Sequence, residues 1–255
     1  AMDRSASRPV AMRVKGGGNW VGTSFAELLS QVQAFSIGLH ELGVNAGDRL
    51  AILSENRPEW AVTDFACLAC RCADVPVYPT LPAHQIEYIL RDSGAVAVCC
   101  SSAAQLGKIL EIRGNLPALK TIVVFDADAA TGGAVTFDSV LAKGRAAIPK
   151  YPTWRTDALA VKPDDLATLI YTSGTTGDPK GVMLTHGNIT SDVMAGLQVL
   201  DLRQSDECLS FLPLSHIFER MAGHYCMTQQ GAIINYATSI ESVPIEMGEL
   251  RPTVV

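Results

Sequence analysis

The residues best equipped for chemistry crowd into Tyr171–Asn188, YTSGTTGDPKGVMLTHGN. Gly174, Gly177 and Gly181 are interleaved with the hydroxyls of Thr172, Ser173, Thr175 and Thr176, and a single lysine, Lys180, follows. Glycines let a backbone turn tightly and bring successive N–H groups toward one point, hydroxyls add donors, and a lysine adds a full positive charge. Such a loop suits an anion, phosphate above all. Its spacing is not that of a Walker loop, because Gly174 to Lys180 does not give G-x-x-x-x-G-K-[ST], and it is not a dinucleotide fingerprint. As a bare Gly/Ser/Thr string it also fits a polar turn between strands.

A second concentration is Phe211–Arg220, FLPLSHIFER. Ser215 is placed to cap a helix that starts at His216 and carries the stripe Ile217, Met221 and Tyr225. A lone histidine there serves either as a structural ring or as a group beside reacting atoms, and Glu219 with Arg220 reads as a local surface ion pair. Cys67, Cys70 and Cys72 have a spacing that thiolate ligands can use. No second Cys/His cluster completes a four-ligand set, and the apolar run Phe65–Ala73 reads as a core helix, so no metal site is expected.

These residues need elements to hold them. Ser24 and Glu27 form a capping box ahead of an amphipathic helix whose apolar face includes Leu28, Val32, Phe35 and Leu39 and which runs up to Gly43. Arg49–Leu53 reads as a strand and the stretch after Pro58 as a helix; the alternation repeats through strands near Val75–Tyr78, Ala95–Cys99 and Thr121–Phe125, with helices at Ala83–Arg91 and Gln105–Arg113. This is βαβ logic, and the fold class it predicts is α/β, with mostly parallel sheets covered by helices. The stretch 126–163, broken by Gly132, Gly133, Gly144, Pro149, Pro152 and Pro163, reads as a connector. The predicted organisation is a first lobe over 1–125, that connector, and a second lobe over 164–255 that opens with strand Ala167–Tyr171 and carries the loop.

The 255-residue chain is long enough for a substantial core. Apolar residues make up 48% and charged residues 18%, outside the range of disordered chains. Twenty Lys and Arg against 26 Asp and Glu give a net charge of −6 with no basic run, which argues against nucleic acid as a partner. Seven cysteines without an apolar export signal at the N-terminus predict free thiols and a cytoplasmic protein.

Tyr171–Val182 resembles, position by position, the phosphate loop of the adenylate-forming superfamily, which contains acyl-CoA synthetases, luciferases and peptide-synthetase adenylation domains. Gly22–Leu39, Gly47–Arg49 with Glu55–Trp60, and Pro76–Ala95 are similar to the N-terminal blocks of acyl-CoA synthetases. FLPLSHIFER resembles the next family motif in its long-chain fatty-acid CoA ligase form, and Arg251–Val255 resembles the start of the strand that follows.

The resemblance implies a two-step reaction, in which a carboxylate attacks the α-phosphorus of ATP to give acyl-AMP and pyrophosphate and the thiol of CoA then displaces AMP. It implies that Thr172, Ser173, Gly174, Thr175, Thr176, Gly177 and Lys180 hold the β- and γ-phosphates and that His216 is the catalytic side chain beside carboxylate and phosphate. The partners it implies are fatty acid, ATP and CoA, with Mg2+; in the family Mg2+ and CoA are held mainly by residues that this sequence lacks, and so are the adenine, ribose and hinge motifs. The expectation is therefore the N-terminal part of a long-chain ligase, inactive alone, able to self-associate through an apolar patch near Val254–Val255, and open to peripheral membrane contact in the full-length protein. Two alternatives stand beside it: a non-catalytic nucleotide- or acyl-binding module of the same fold, and a ligase for another carboxylic acid.

Overall fold

The computed structural model describes residues 2–172 and 178–255. In chain order the first elements are β1 (Met12–Gly16), β2 (Asn19–Thr23), α1 (Phe25–Glu41), β3 (Arg49–Leu53), α2 (Pro58–Ala69), β4 (Ala73–Val77), α3 (Ala83–Ser93), β5 (Ala97–Cys100), α4 (Ala103–Ile112) and β6 (Thr121–Val124). There follow β7 (Val135–Thr136), α5 (Phe137–Ala147), α6 (Trp154–Leu159), β8 (Leu166–Thr172), β9 (Lys180–Thr185), α7 (His186–Val199), β10 (Glu207–Ser210), α8 (Ile217–Glu219), α9 (Met227–Gln230), β11 (Ile233–Tyr236) and α10 (Val243–Leu250). A π-helix, Arg220–Cys226, joins α8 to α9.

The chain divides into two compact units, one of Ala1–Ser30, Asn56–Pro58 and Asn188–Val255, the other of Gln31–Glu55 and Glu59–Gly187. The larger unit holds a seven-stranded sheet in the order β7-β6-β5-β3-β4-β8-β9. Every neighbouring pair is parallel except β8 with β9. β4 and β5 flank β3 on opposite sides, so the direction of strand addition reverses there; in sheets of this kind ligands bind outside the carboxyl ends of the strands. Because β8 runs parallel to β4, Thr172 sits at that carboxyl end. Strand interiors such as Leu50–Leu53 and Ala97–Cys100 are wholly buried, as parallel strands covered on both faces must be.

The smaller unit is built on a four-stranded sheet, β10-β11-β1-β2, in which only β1 and β2 are antiparallel. Their connection is the two-residue turn Gly17-Gly18, with φ of +57° and +84°, a conformation that a Cβ would strain and that matches the twist of a hairpin. Ser24 caps α1 as predicted: its Oγ accepts from the Glu27 N–H at 3.1 Å while Glu27 accepts from the Ser24 N–H at 2.8 Å.

The predicted fold class is what is found, but the organisation along the chain differs. Residues 126–163 are not a bare connector, since they supply β7, α5 and α6 to the larger unit. The glycine read there as a breaker has another use: a Cβ on Gly144 would stand 1.7 Å from the Ala34 carbonyl oxygen, and one on Gly38 would stand 2.3 Å from that of Val140. Both helices give up a side chain so that α1 and α5 can touch. Nor do the units follow the lobe order 1–125 and 164–255, because the chain leaves the smaller unit after α1 begins, touches it again at Asn56–Pro58 and returns to it for good at Asn188. At 251–255 the expected strand amounts to one parallel bridge, Val254 to Cys208.

Candidate functional site

The loop proposed to hold phosphate is closed by a hairpin. β8 is buried at Ala167, Thr168, Ile170 and Tyr171, while β9 lies on the sheet edge. Thr168 Oγ1 donates to the Asp74 carbonyl at 3.1 Å, and the Tyr171 hydroxyl donates to Asp92 at 2.6 Å. Burial, with that bond, pushes the Tyr171 phenol well above its usual range, so it stays a neutral donor. A Cβ on Gly181 would meet the Tyr171 ring at 3.1 Å, which is why β9 enters the hairpin on a glycine.

The register of the two strands ends on Thr172 opposite Lys180. A hydroxyl and a cation thus face each other at the mouth of the loop, both exposed, and Lys180 makes no ion pair with another described residue. Ser173, Gly174, Thr175, Thr176 and Gly177 lie outside the described residues. Just past the hairpin, burial holds the His186 imidazole below its usual range.

The second motif belongs to the other unit. His216 is exposed, and it is the cap itself rather than the first helical residue: its Nδ1 accepts from the Phe218 N–H at 3.2 Å, with Ser215 buried behind it. A neutral ring bonded this way carries its proton on Nε2 and presents a donor outward. Glu219 and Arg220 are not a surface pair, being 8% and 0% exposed. The Ser210 hydroxyl donates to Glu219 at 2.6 Å, and burial raises the Glu219 carboxyl above its usual range. Arg220 lies 5.3 Å from the centre of the Tyr225 ring. π-helical turns of this kind frequently mark functional positions.

One residue here was passed over in the sequence. Asn56, quoted above only as part of a family block, donates from Nδ2 to Ser210 Oγ at 3.0 Å and to the Leu212 carbonyl at 2.7 Å, and its Oδ1 accepts from the Leu214 N–H at 2.8 Å. An isolated Asn carries no local signal of partners more than 150 residues away.

All seven cysteines are free thiols, and all but Cys70 are buried. Cys67 and Cys72 are buried at the end of α2, where the Cys72 N–H returns to the Cys67 carbonyl at 3.0 Å. Burial pushes the thiols of Cys100 and Cys208 up to about 12, the mark of inert core thiols. Among the described residues no group of three His, Cys, Asp or Glu is placed to hold a metal ion. No helix of the described residues is long and apolar enough to cross a membrane.

A family model described as AMP-binding enzyme matches residues 2–255. The chain belongs to the AMP-binding enzyme family. Within it, the chain is 35% identical over 240 residues to the long-chain-fatty-acid–CoA ligase FadD15 of Mycobacterium tuberculosis, covering 93% of this chain and 39% of that protein. To the peroxisomal long chain acyl-CoA synthetase 7 of Arabidopsis thaliana it is 33% identical over 253 residues, covering 93% of this chain and 34% of that one. The chain therefore spans about two fifths of the length of such relatives or less. Among solved structures, the anthranilate CoA ligase AuaEII in complex with anthranoyl-AMP superposes with a TM-score of 0.83 at 23% identity, covering 99% of this chain and 48% of that one. That likeness speaks for the AMP-binding fold.

Proposed function

We propose that this AMP-binding enzyme activates a long-chain fatty acid, forming acyl-AMP and pyrophosphate from ATP and then passing the acyl group to the thiol of CoA. The observation that carries the reading is the register that sets Thr172 against Lys180 at the mouth of a Gly/Ser/Thr loop, on the carboxyl edge of a parallel sheet. The names of the relatives support the acyl substrate and CoA.

In this reading Lys180 and the Thr172 hydroxyl, with Ser173, Gly174, Thr175, Thr176 and Gly177, hold the β- and γ-phosphates while the carboxylate oxygen attacks the α-phosphorus and pyrophosphate leaves. That is positioning and electrostatic work: the charge growing on the departing phosphate is met by a cation and donors already in place. His216 offers its Nε2–H toward the carboxylate and phosphate, with the ring held by the Phe218 N–H behind it. Mg2+, when bound, neutralises phosphate charge; the described residues supply no three-ligand set for it, and no step here runs through it.

The test is single-turnover acyl-AMP formation from palmitate and ATP by the full-length protein. Lys180→Ala removes one charge-assisted contact, worth about 1.5–3 kcal/mol, and is expected to slow the step roughly 10- to 150-fold. An unchanged rate removes Lys180 from the site. Turnover of an aryl or amino acid with none of palmitate replaces the long-chain substrate.

A further inference from the structure

The loop from Ser210 to His216 has little of its own to hold it. Leu212 and Pro213 are exposed, Pro213 has no N–H, and the backbone bonds within the loop reduce to the His216 N–H donating to the Pro213 carbonyl at 2.8 Å. The Leu212 carbonyl and the Leu214 N–H are instead both satisfied by one side chain, the amide of Asn56. Its orientation is fixed by its partners, since a flipped amide would face the Leu214 N–H with NH2 and the Leu212 carbonyl with oxygen. Its remaining N–H goes to Ser210 Oγ, which has one proton of its own and gives it to Glu219. A chain of bonds, Asn56 to Ser210 to Glu219, therefore ties the entry of the loop to the first helical turn, and His216 lies between the two anchors.

We propose that Asn56 is a positioning residue for adenylation, clamping Ser210–Leu214 so that the His216 ring is held as a cap with Nε2–H outward. The proposal rests on the role given to His216 above, and it adds a residue distant in sequence that no motif assigns. Asn56 does not itself act on the substrate; it removes the freedom of the backbone that carries the acting group. Misplacement by about 1 Å at such a site costs up to roughly a hundredfold in rate.

The experiment uses Asn56→Ala, Asn56→Asp and Ser210→Ala in the intact protein. Asn56→Asp keeps the acceptor for Leu214 but turns an oxygen on the Leu212 carbonyl; Ser210→Ala cuts the chain at its middle. In the unaltered protein, with the ring neutral, 15N resonances of His216 are expected to show one bare and one protonated nitrogen. In the Asn56 variants the two are expected to move toward a common average, and single-turnover acyl-AMP formation to fall roughly 10- to 100-fold with KM for ATP changed less than about twofold. The double variant Asn56→Ala with Ser210→Ala is expected to lose less than the product of the two single losses. Folded Asn56 variants that keep both the ring signature and the rate overturn the proposal. If Asn56→Ala does not fold, Asn56→Asp and Ser210→Ala give the same two readouts. If the unaltered full-length protein forms no acyl-AMP, the functional reading fails, and the ring signature alone decides the clamp: moved, it stands; unmoved, it falls.

Discussion

In the larger unit, Leu50–Leu53 and Val98–Cys100 are wholly inaccessible and apolar; in the smaller unit, Ser210, Glu219, Arg220 and His224 are buried too, and polar. The first group is held by area removed from water and by packing without gaps, so its weak points are changes of volume. The second is held by specific bonds whose partners must be present, such as Asn56 to Ser210 to Glu219, so its weak points are changes of a single atom. A packed sheet gives a rigid frame that is tolerant of chemistry, whereas a buried polar segment gives a defined geometry at the cost of tolerance. It is the second kind of region that carries His216.

Three substitutions break or sharpen this contrast. The largest effect is expected from Gly144→Ala, where a methyl 1.7 Å from the Ala34 carbonyl forces α1 and α5 apart. A loss of about 3 kcal/mol, the upper end of typical overpacking costs, should appear in denaturant unfolding. A loss below about 0.5 kcal/mol would show that the crossing yields and that volume is not the weak point of this unit.

The next concerns pH. The Glu219 carboxyl is raised in the folded protein by burial, against the bond from Ser210. A raised acid binds its proton more tightly when folded, so its favourable contribution is complete below the ordinary glutamate range and is lost as pH rises through the raised value. Glu219→Gln removes that titration. The stability of the unaltered protein relative to the Gln variant should therefore decline as pH rises above the ordinary glutamate range, about 4.3, and level off once the raised value is passed, measured as unfolding midpoints across pH. A difference that does not vary with pH would mean that Glu219 is not a buried, titrating member of the network.

The smallest effect tests the larger unit at the one non-glycine residue with positive φ among its described residues. Arg71 ends α2 in the left-handed region, with φ of +60°, and its guanidinium reaches Asp165 at 3.4 Å across an exposed surface. Arg71→Gly relieves about 1 kcal/mol of backbone strain and gives up an ion pair worth little, so a stability gain of up to about 1 kcal/mol is expected. Destabilisation would show that the pair outweighs the backbone.

The same contrast explains which features the amino-acid sequence specifies locally. α1 to β6 followed from period and caps because each element there is specified by its own residues: Ser24 with Glu27 at the start of α1, and Gly94 in the left-handed region at the end of α3. The hairpin register of Thr172 on Lys180 was not legible as such, yet the glycines and hydroxyls marked the loop. Gly144 was misread because a glycine that lets helices touch looks the same in sequence as one that ends them. Asn56, the cap made by His216 itself and the burial of Glu219 and Arg220 depend on contacts between distant residues, and no local pattern encodes them.

The path of the chain also sets an order of assembly. β1 pairs with β11 in a register that joins Arg13 to Asn235, 222 residues apart. A ribosome therefore releases β1 and β2 as a hairpin whose β1 edge lacks its later partner, and that edge waits while the larger unit forms, most of whose strands close onto neighbours made soon before or after them, with β4 and β8 the exception. β1 and β2 are made before every other described strand and yet are among the last to be completed, and a chaperone would find the β1 edge exposed throughout that interval.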